Sequence, residues 1–143
     1  TIRGRKAGMV ELTNPAKDGP EYVSIAIGAT RAYIRSNAEV VRRFMRAYAE
    51  AVHLFKTSKP IALKALQKYT RVTDLEILEE THKEYLDYIE SLPYTSRRGI
   101  ETILSELAAS DPKARQAKPD DFVDMRFVAE LERDGFFKKL GVK

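Results

Sequence analysis

The chain contains no cysteine. Disulfides, thiolate nucleophiles and cysteine-ligated zinc are therefore excluded, while the compartment stays open, because many exported bacterial proteins also lack cysteine. Histidine is almost as scarce: the two present are His53 and His82, and neither lies in a metal or triad motif. Glu79-Glu80-Thr81-His82 lacks the paired-histidine spacing that brings two imidazoles to one helix face in zinc hydrolases. His82 falls instead on an apolar helical stripe, where a hydrogen-bonded structural role is expected. The seven glycines are scattered, so no loop of the Walker or dinucleotide type is available to cradle a phosphate. No stretch approaches the roughly 18 consecutive apolar residues of a membrane-spanning helix, and no internal repeat or low-complexity tract is visible. The sequence opens at Thr1 without a methionine or a basic-then-apolar leader, so any export signal is expected to have been removed or never included.

What is present is the composition of a folded protein: 143 residues, 43% hydrophobic and 32% charged, within the range of one domain. The net charge of +4 and a pI near 9.3 favour acidic partners at low salt and raise nucleic acid as a candidate. The basic residues are interleaved with acids, however, and the local cluster Arg42, Arg43 and Arg46 reads as a solvated helix face. Nucleic-acid binding also wants exposed aromatics among the bases, whereas Phe44, Tyr48 and Phe55 recur on what reads as the inward stripe of the same helix. No nucleic-acid partner is expected. Paired carboxylates occur at Asp120-Asp121, Glu79-Glu80 and Glu130 with Glu132. None has the facing arrangement that acid-base catalysis needs, and Asp120, Asp121 and Asp124 suit the start of a helix.

The first 35 residues read as extended structure and turns. Met9 to Leu12 forms one short strand, and Tyr22 to Ile27 forms another with Val23, Ile25 and Ile27 alternating on one face. Between them Asn14-Pro15-Ala16-Lys17-Asp18-Gly19-Pro20 marks a loop. From Ser36 the period becomes helical. Ser36 with Glu39 and Thr73 with Glu76 have capping-box spacing, and Val40, Val41, Phe44, Tyr48, Ala51, Val52 and Phe55 form the stripe of a long helix. Pro60 opens a second helix, Leu75 to Ile89 carries a third, Ile100 to Leu107 a fourth, and a closing helix starts near Asp124 and ends at Gly135 in a left-handed cap. The expected class is α+β, mostly helical, with two short strands followed by about five helices. Residues 1–35 hold the strands and residues 36–143 the helices, within one domain. Two strands alone leave their ladder edges open, so self-association by swapped elements is also expected.

Two blocks carry a family resemblance. One is Ala117-Lys118-Pro119-Asp120-Asp121-Phe122-Val123-Asp124-Met125-Arg126-Phe127-Val128-Ala129-Glu130-Leu131 with Asp134-Gly135-Phe136. The other runs from Thr30-Arg31-Ala32-Tyr33-Ile34 through Asn37 into the helix that ends Phe55-Lys56-Thr57. Over residues 8 to 140 the sequence resembles the C-terminal part of the periplasmic substrate-binding proteins of ABC importers, in the nitrate, sulfonate, taurine and thiamine-precursor group. It departs from them in having Ala38 where a proline is usual.

The resemblance implies the C-terminal part of a type II periplasmic-binding-protein fold, in which residues 1–35 include the crossing between two lobes. It implies a periplasmic or extracytoplasmic protein that captures a small polar or anionic ligand for an ABC permease and performs no catalysis, with no cofactor. Tyr22, Ser24 and Thr30 would then offer hydroxyls near the hinge, and Arg31 the nearest fixed positive charge for an anionic ligand. On the plainer reading Arg31 is a surface residue and Thr30 caps a short helix. The alternatives are an enzyme of the pyrimidine-precursor branch of the same fold, and a freestanding basic helical interaction or DNA-binding module.

Overall fold

The computed structural model describes residues 2–142; Thr1 and Lys143, the outer bounds of the two expected regions, lie outside the described residues. Among the described residues there are nine α-helical segments and no strand. Short helices α1 (Ile2–Lys6), α2 (Pro15–Asp18) and α3 (Arg31–Ser36) precede the main series. That series is α4 (Ala38–Thr57), α5 (Lys59–Thr70), α6 (Leu75–Tyr88), α7 (Arg97–Leu107), α8 (Arg126–Arg133) and α9 (Phe136–Lys139), with a 3-10 turn at Pro119–Asp121 before α8.

The α+β expectation, with its two strands and type II binding-protein sheet, is overturned. Residues 9–12 and 22–27 are irregular and make no ladder. Alternating apolar residues become a strand only when a neighbouring strand takes up their N–H and C=O groups, and nothing in the described chain offers one. Apart from Val23, which is partly buried over Gly99, their apolar side chains stand in solvent instead, with Leu12 94% and Ile25 87% exposed.

The helical half agrees with the pattern: α4 to α8 are the five expected helices. Their starts differ in detail. Asp74, not Thr73, caps α6, its Oδ1 accepting from the backbone of Glu76 and Ile77 at 3.0 and 3.2 Å. Ser36 closes α3 rather than opening α4, whose N-cap Asn37 makes no side-chain cap bond. Pro60 occupies the first turn of α5. Gly135, at φ +70°, follows α8 and returns its N–H to the Glu132 carbonyl at 2.9 Å, the left-handed C-terminal geometry that glycine adopts without a Cβ clash.

α4 packs on α5 and α5 on α6, while α8 and α9 close over the other side of α4. The core lies there: Ala49 of α4, Val128 and Leu131 of α8, and Phe136 and Phe137 of α9 are buried together. The two phenylalanine rings meet edge to face at 5.6 Å. Arg42 reaches Glu130 of α8 at 2.9 Å, and Arg46 lies 4.9 Å over the Phe136 ring. Arg42 and Arg46 therefore border the core, their aliphatic stems covering apolar surface, while Arg43 stands exposed.

The apolar arc of α4, from Leu54 round to Ala49, is about 220° wide at 100° per residue. Only the part that includes Met45, Ala49 and Val52 is covered. Phe44 and Tyr48, expected inside, are exposed; a single layer of helices can cover one stripe of such an arc, and α8 and α9 take the other. The chain as a whole exposes 10,885 Å². A compact monomer of 16.3 kDa exposes about 7,500 Å².

His82 has the structural role expected of it. It is 6% exposed and packs its ring 5.0 Å from that of Phe55. Its Nε2 donates to the Phe55 carbonyl at 2.9 Å. That carbonyl lies in the last turn of α4, where the helix has run out of its own donors, so α6 caps α4 through an imidazole. Replacing His82 by Leu strips the donor while keeping the bulk, and should destabilise the protein by about 1–3 kcal/mol. Urea unfolding of His82→Leu beside His82→Gln measures it; equal stability of the leucine variant and the parent would show that the capping bond contributes nothing.

Candidate functional site

The polar residues singled out in the sequence lie along one seam, where residues 21–31 run over the N-terminal end of α7 and the 3-10 turn. Ser96 caps α7, its Oγ accepting from the Gly99 N–H at 2.9 Å, and donates to the Glu21 carboxylate. Gly99 is buried because the chain at Tyr22 and Val23 passes directly over it: a Cβ there would stand 2.9 Å from Val23 Cγ2 and 3.1 Å from the Val23 nitrogen. At the other end of the seam Arg31 donates through Nη2 to the Asp121 carbonyl at 2.5 Å. The turn is tied back to α7 by Arg97, which grips both oxygens of Asp120 at 2.9 and 3.0 Å.

The four predicted positions are thus on one seam but have different roles. Thr30 caps α3, its Oγ1 accepting from Tyr33 N–H at 3.1 Å, as the plainer reading had it. Tyr22 and Ser24 are exposed. Arg31 is also exposed, and its anchor is a backbone carbonyl; among the described residues it has no carboxylate partner, whereas Arg5, Arg42, Arg46, Arg97 and Arg126 each have one. The seam fixes the Arg31 guanidinium on a backbone carbonyl without an ion pair among the described residues, as the Ala108 carbonyl fixes Arg115.

A second feature escaped the sequence reading. An open cleft of about 350 Å³ lies at the end of α4, lined by His53, Lys56, Thr57, Ser91, Gly141 and Val142. Lys56 Nζ donates to Ser91 Oγ at 3.2 Å. His53 and Lys56 are one turn apart on α4, which is readable in sequence; Ser91 and the C-terminal residues reach them only through the packing of the whole chain. The cleft is at the small end of ligand pockets, which run to roughly 300–1,000 Å³.

No group of three or more histidine, cysteine, aspartate or glutamate residues could hold a metal ion among the described residues. Nor, among them, is any helix long and apolar enough to cross a membrane. The perturbed titrations belong to surface ion pairs. Arg126 holds the Asp124 carboxyl below the usual carboxylate range, against the opposing effect of partial burial, and the bond from Tyr94 to Glu132 raises the Tyr94 phenol. Nothing among known protein families, characterised proteins or solved structures matches the chain.

Two outcomes check this geometry. Gly99→Ala should loosen the seam, because backbone as well as side chain must move aside; amide exchange over residues 21–24 should speed up while the α4–α8 core keeps its protection, and unchanged exchange would show that the close approach is absent. Asp124, with its folded pKa depressed, stabilises the protein above the ordinary carboxylate pKa and loses that contribution as pH falls through the lowered folded value. Asp124→Asn should therefore flatten the acid limb of a stability-versus-pH curve below about pH 4 and leave its neutral region nearly parallel to that of the parent.

Proposed function

We propose that this chain is part of an extracytoplasmic solute-binding protein that captures a small anionic ligand for an ABC importer and performs no chemistry itself. The observation that carries the reading is Arg31: a guanidinium positioned by a backbone carbonyl, with donors to spare and no carboxylate on it among the described residues. An oxyanion such as a sulfonate, nitrate or carboxylate is the chemistry such a group recognises, since its forked donors meet paired oxygens. The exposed hydroxyls of Tyr22 and Ser24 on the same seam suit the remaining acceptors. The sequence resemblance at Thr30-Arg31 and over Ala117 to Phe136 supports the same assignment, as does the scarcity of facing acid-base groups. The large exposed apolar area supports a chain that works with further protein around it. In that setting binding closes protein around the solute and presents it to the permease.

The basic-module alternative is less well supported, because the α4 arginines are engaged by Glu39, Glu130 and Glu50 rather than free for phosphate.

A thermal-shift screen of sulfonates, nitrate and carboxylates against the complete gene product, with this 143-residue chain in parallel, tests the proposal. A true ligand at about a hundred times its Kd stabilises by about 2.7 kcal/mol. Arg31→Ala should weaken it roughly 10- to 100-fold, the loss of one or two charge-assisted hydrogen bonds. Full affinity in the alanine variant would remove Arg31 from the site, and silence across the whole screen would remove the solute-binding reading.

A further inference from the structure

The exposed side of α4 has a seam of its own. Val40, Phe44, Ala47, Ala51 and Leu54 follow one another at steps of four, three, four and three residues, the a/d repeat of a coiled coil. All five are exposed, with Val40 47%, Phe44 49% and Leu54 43% accessible. The covered face of the same helix is a different one, built on Met45, Ala49 and Val52. A helix with one buried stripe needs no second apolar repeat, least of all an unbroken one of two heptads.

We propose that this seam is where a second copy of the chain docks, α4 against α4 in antiparallel, two-fold symmetry. Three observations favour a copy over any other occupant. The seam is self-complementary in size: run antiparallel, Phe44 of each helix faces Ala47 of the other, and Val40 faces Ala51, so each large side chain meets a small one. It is self-complementary in charge: flanking the seam on one side are Arg43 and Glu50, and the two-fold axis sets each Arg43 beside the Glu50 of the other copy. Their present partners are within the helix, Glu39 at 3.5 Å and Arg46 at 3.3 Å, long and exposed pairs that are easily exchanged. Finally, the surface is available: the chain exposes about 3,400 Å² more than a compact monomer of its mass, and a standard interface takes about 800 Å² from each partner. This goes beyond the solute-binding reading and stands or falls separately from it.

Light scattering with size exclusion should give twice the 16.3 kDa chain mass, dissociating on dilution. Arg43→Glu and Glu50→Arg should each weaken the dimer roughly tenfold or more, since each places like charges at both symmetry-related contacts on that side. Mixing the two variants should restore it, because a chain acidic at both flanking positions then faces a chain basic at both. The rescue separates pairing at this seam from misfolding or general stickiness. A one-chain mass up to about 100 µM would overturn the proposal and leave the face to another part of a larger protein; a dimer indifferent to both charge reversals would overturn it as well, placing the interface elsewhere.

Discussion

The packing of α4 under α8 and α9 is the contact on which the rest of the structure depends. Ala49 and Val128 are almost wholly buried and lie some eighty residues apart in the chain. The small side chain of Ala49 lets α8 approach closely, and Leu131, Phe136 and Phe137 fill the space around it. Dense contact of this kind gains dispersion and excludes water at once. α3 and α5 pack directly on α4, while α6 is attached in series through α5 and α1 through α6, so α1 is several contacts removed from the core.

That serial arrangement explains the uneven burial. A layer of helices covers one side of its central member, and α4, with an apolar arc of about 220°, is left half covered. The N-terminal residues could have covered more of it. Residues 21–31 are held instead along α7 and the 3-10 turn by Glu21, Val23 and Arg31, and α1 is held on α6 by Arg5 and Lys6. The apolar residues 9–12 and 25–27 between these attachments stay in solvent. A polar seam holding Arg31 on a backbone carbonyl and an apolar helix face without a cover are two results of one distribution of contacts.

The capping of α4 by His82 shows how local and distant rules combine. Each helix end leaves carbonyls without donors; α5 and the Arg71 turn solve this within the backbone, with the Arg71 N–H on the Gln67 carbonyl, whereas α4 borrows an imidazole from two helices away. The histidine could be recognised in the sequence as structural from its place on an apolar stripe. Its partner could not, because nothing local specifies which carbonyl it will meet.

Sequence by itself determined the main helices α4 to α8, but not α1 and α2, which lie where strand, loop and turn were expected. Period, Pro60, Ser96, Asp74 and Gly135 act within a turn or two of the backbone, and so α4 to α8 lie where the pattern puts them. It also determined the role of Thr30, whose cap acts within one turn of the backbone, whereas the anchor of Arg31 on the Asp121 carbonyl, ninety residues on, belongs to the tertiary structure. Only the tertiary structure decided which stripe of α4 would be buried, because Phe44 and Met45 differ by a single residue's rotation and the choice belongs to α8 and α9. It likewise decided that residues 9–12 and 22–27 would not become strands: a strand is completed by its neighbour's hydrogen bonds, and alternation along one segment cannot supply a neighbour.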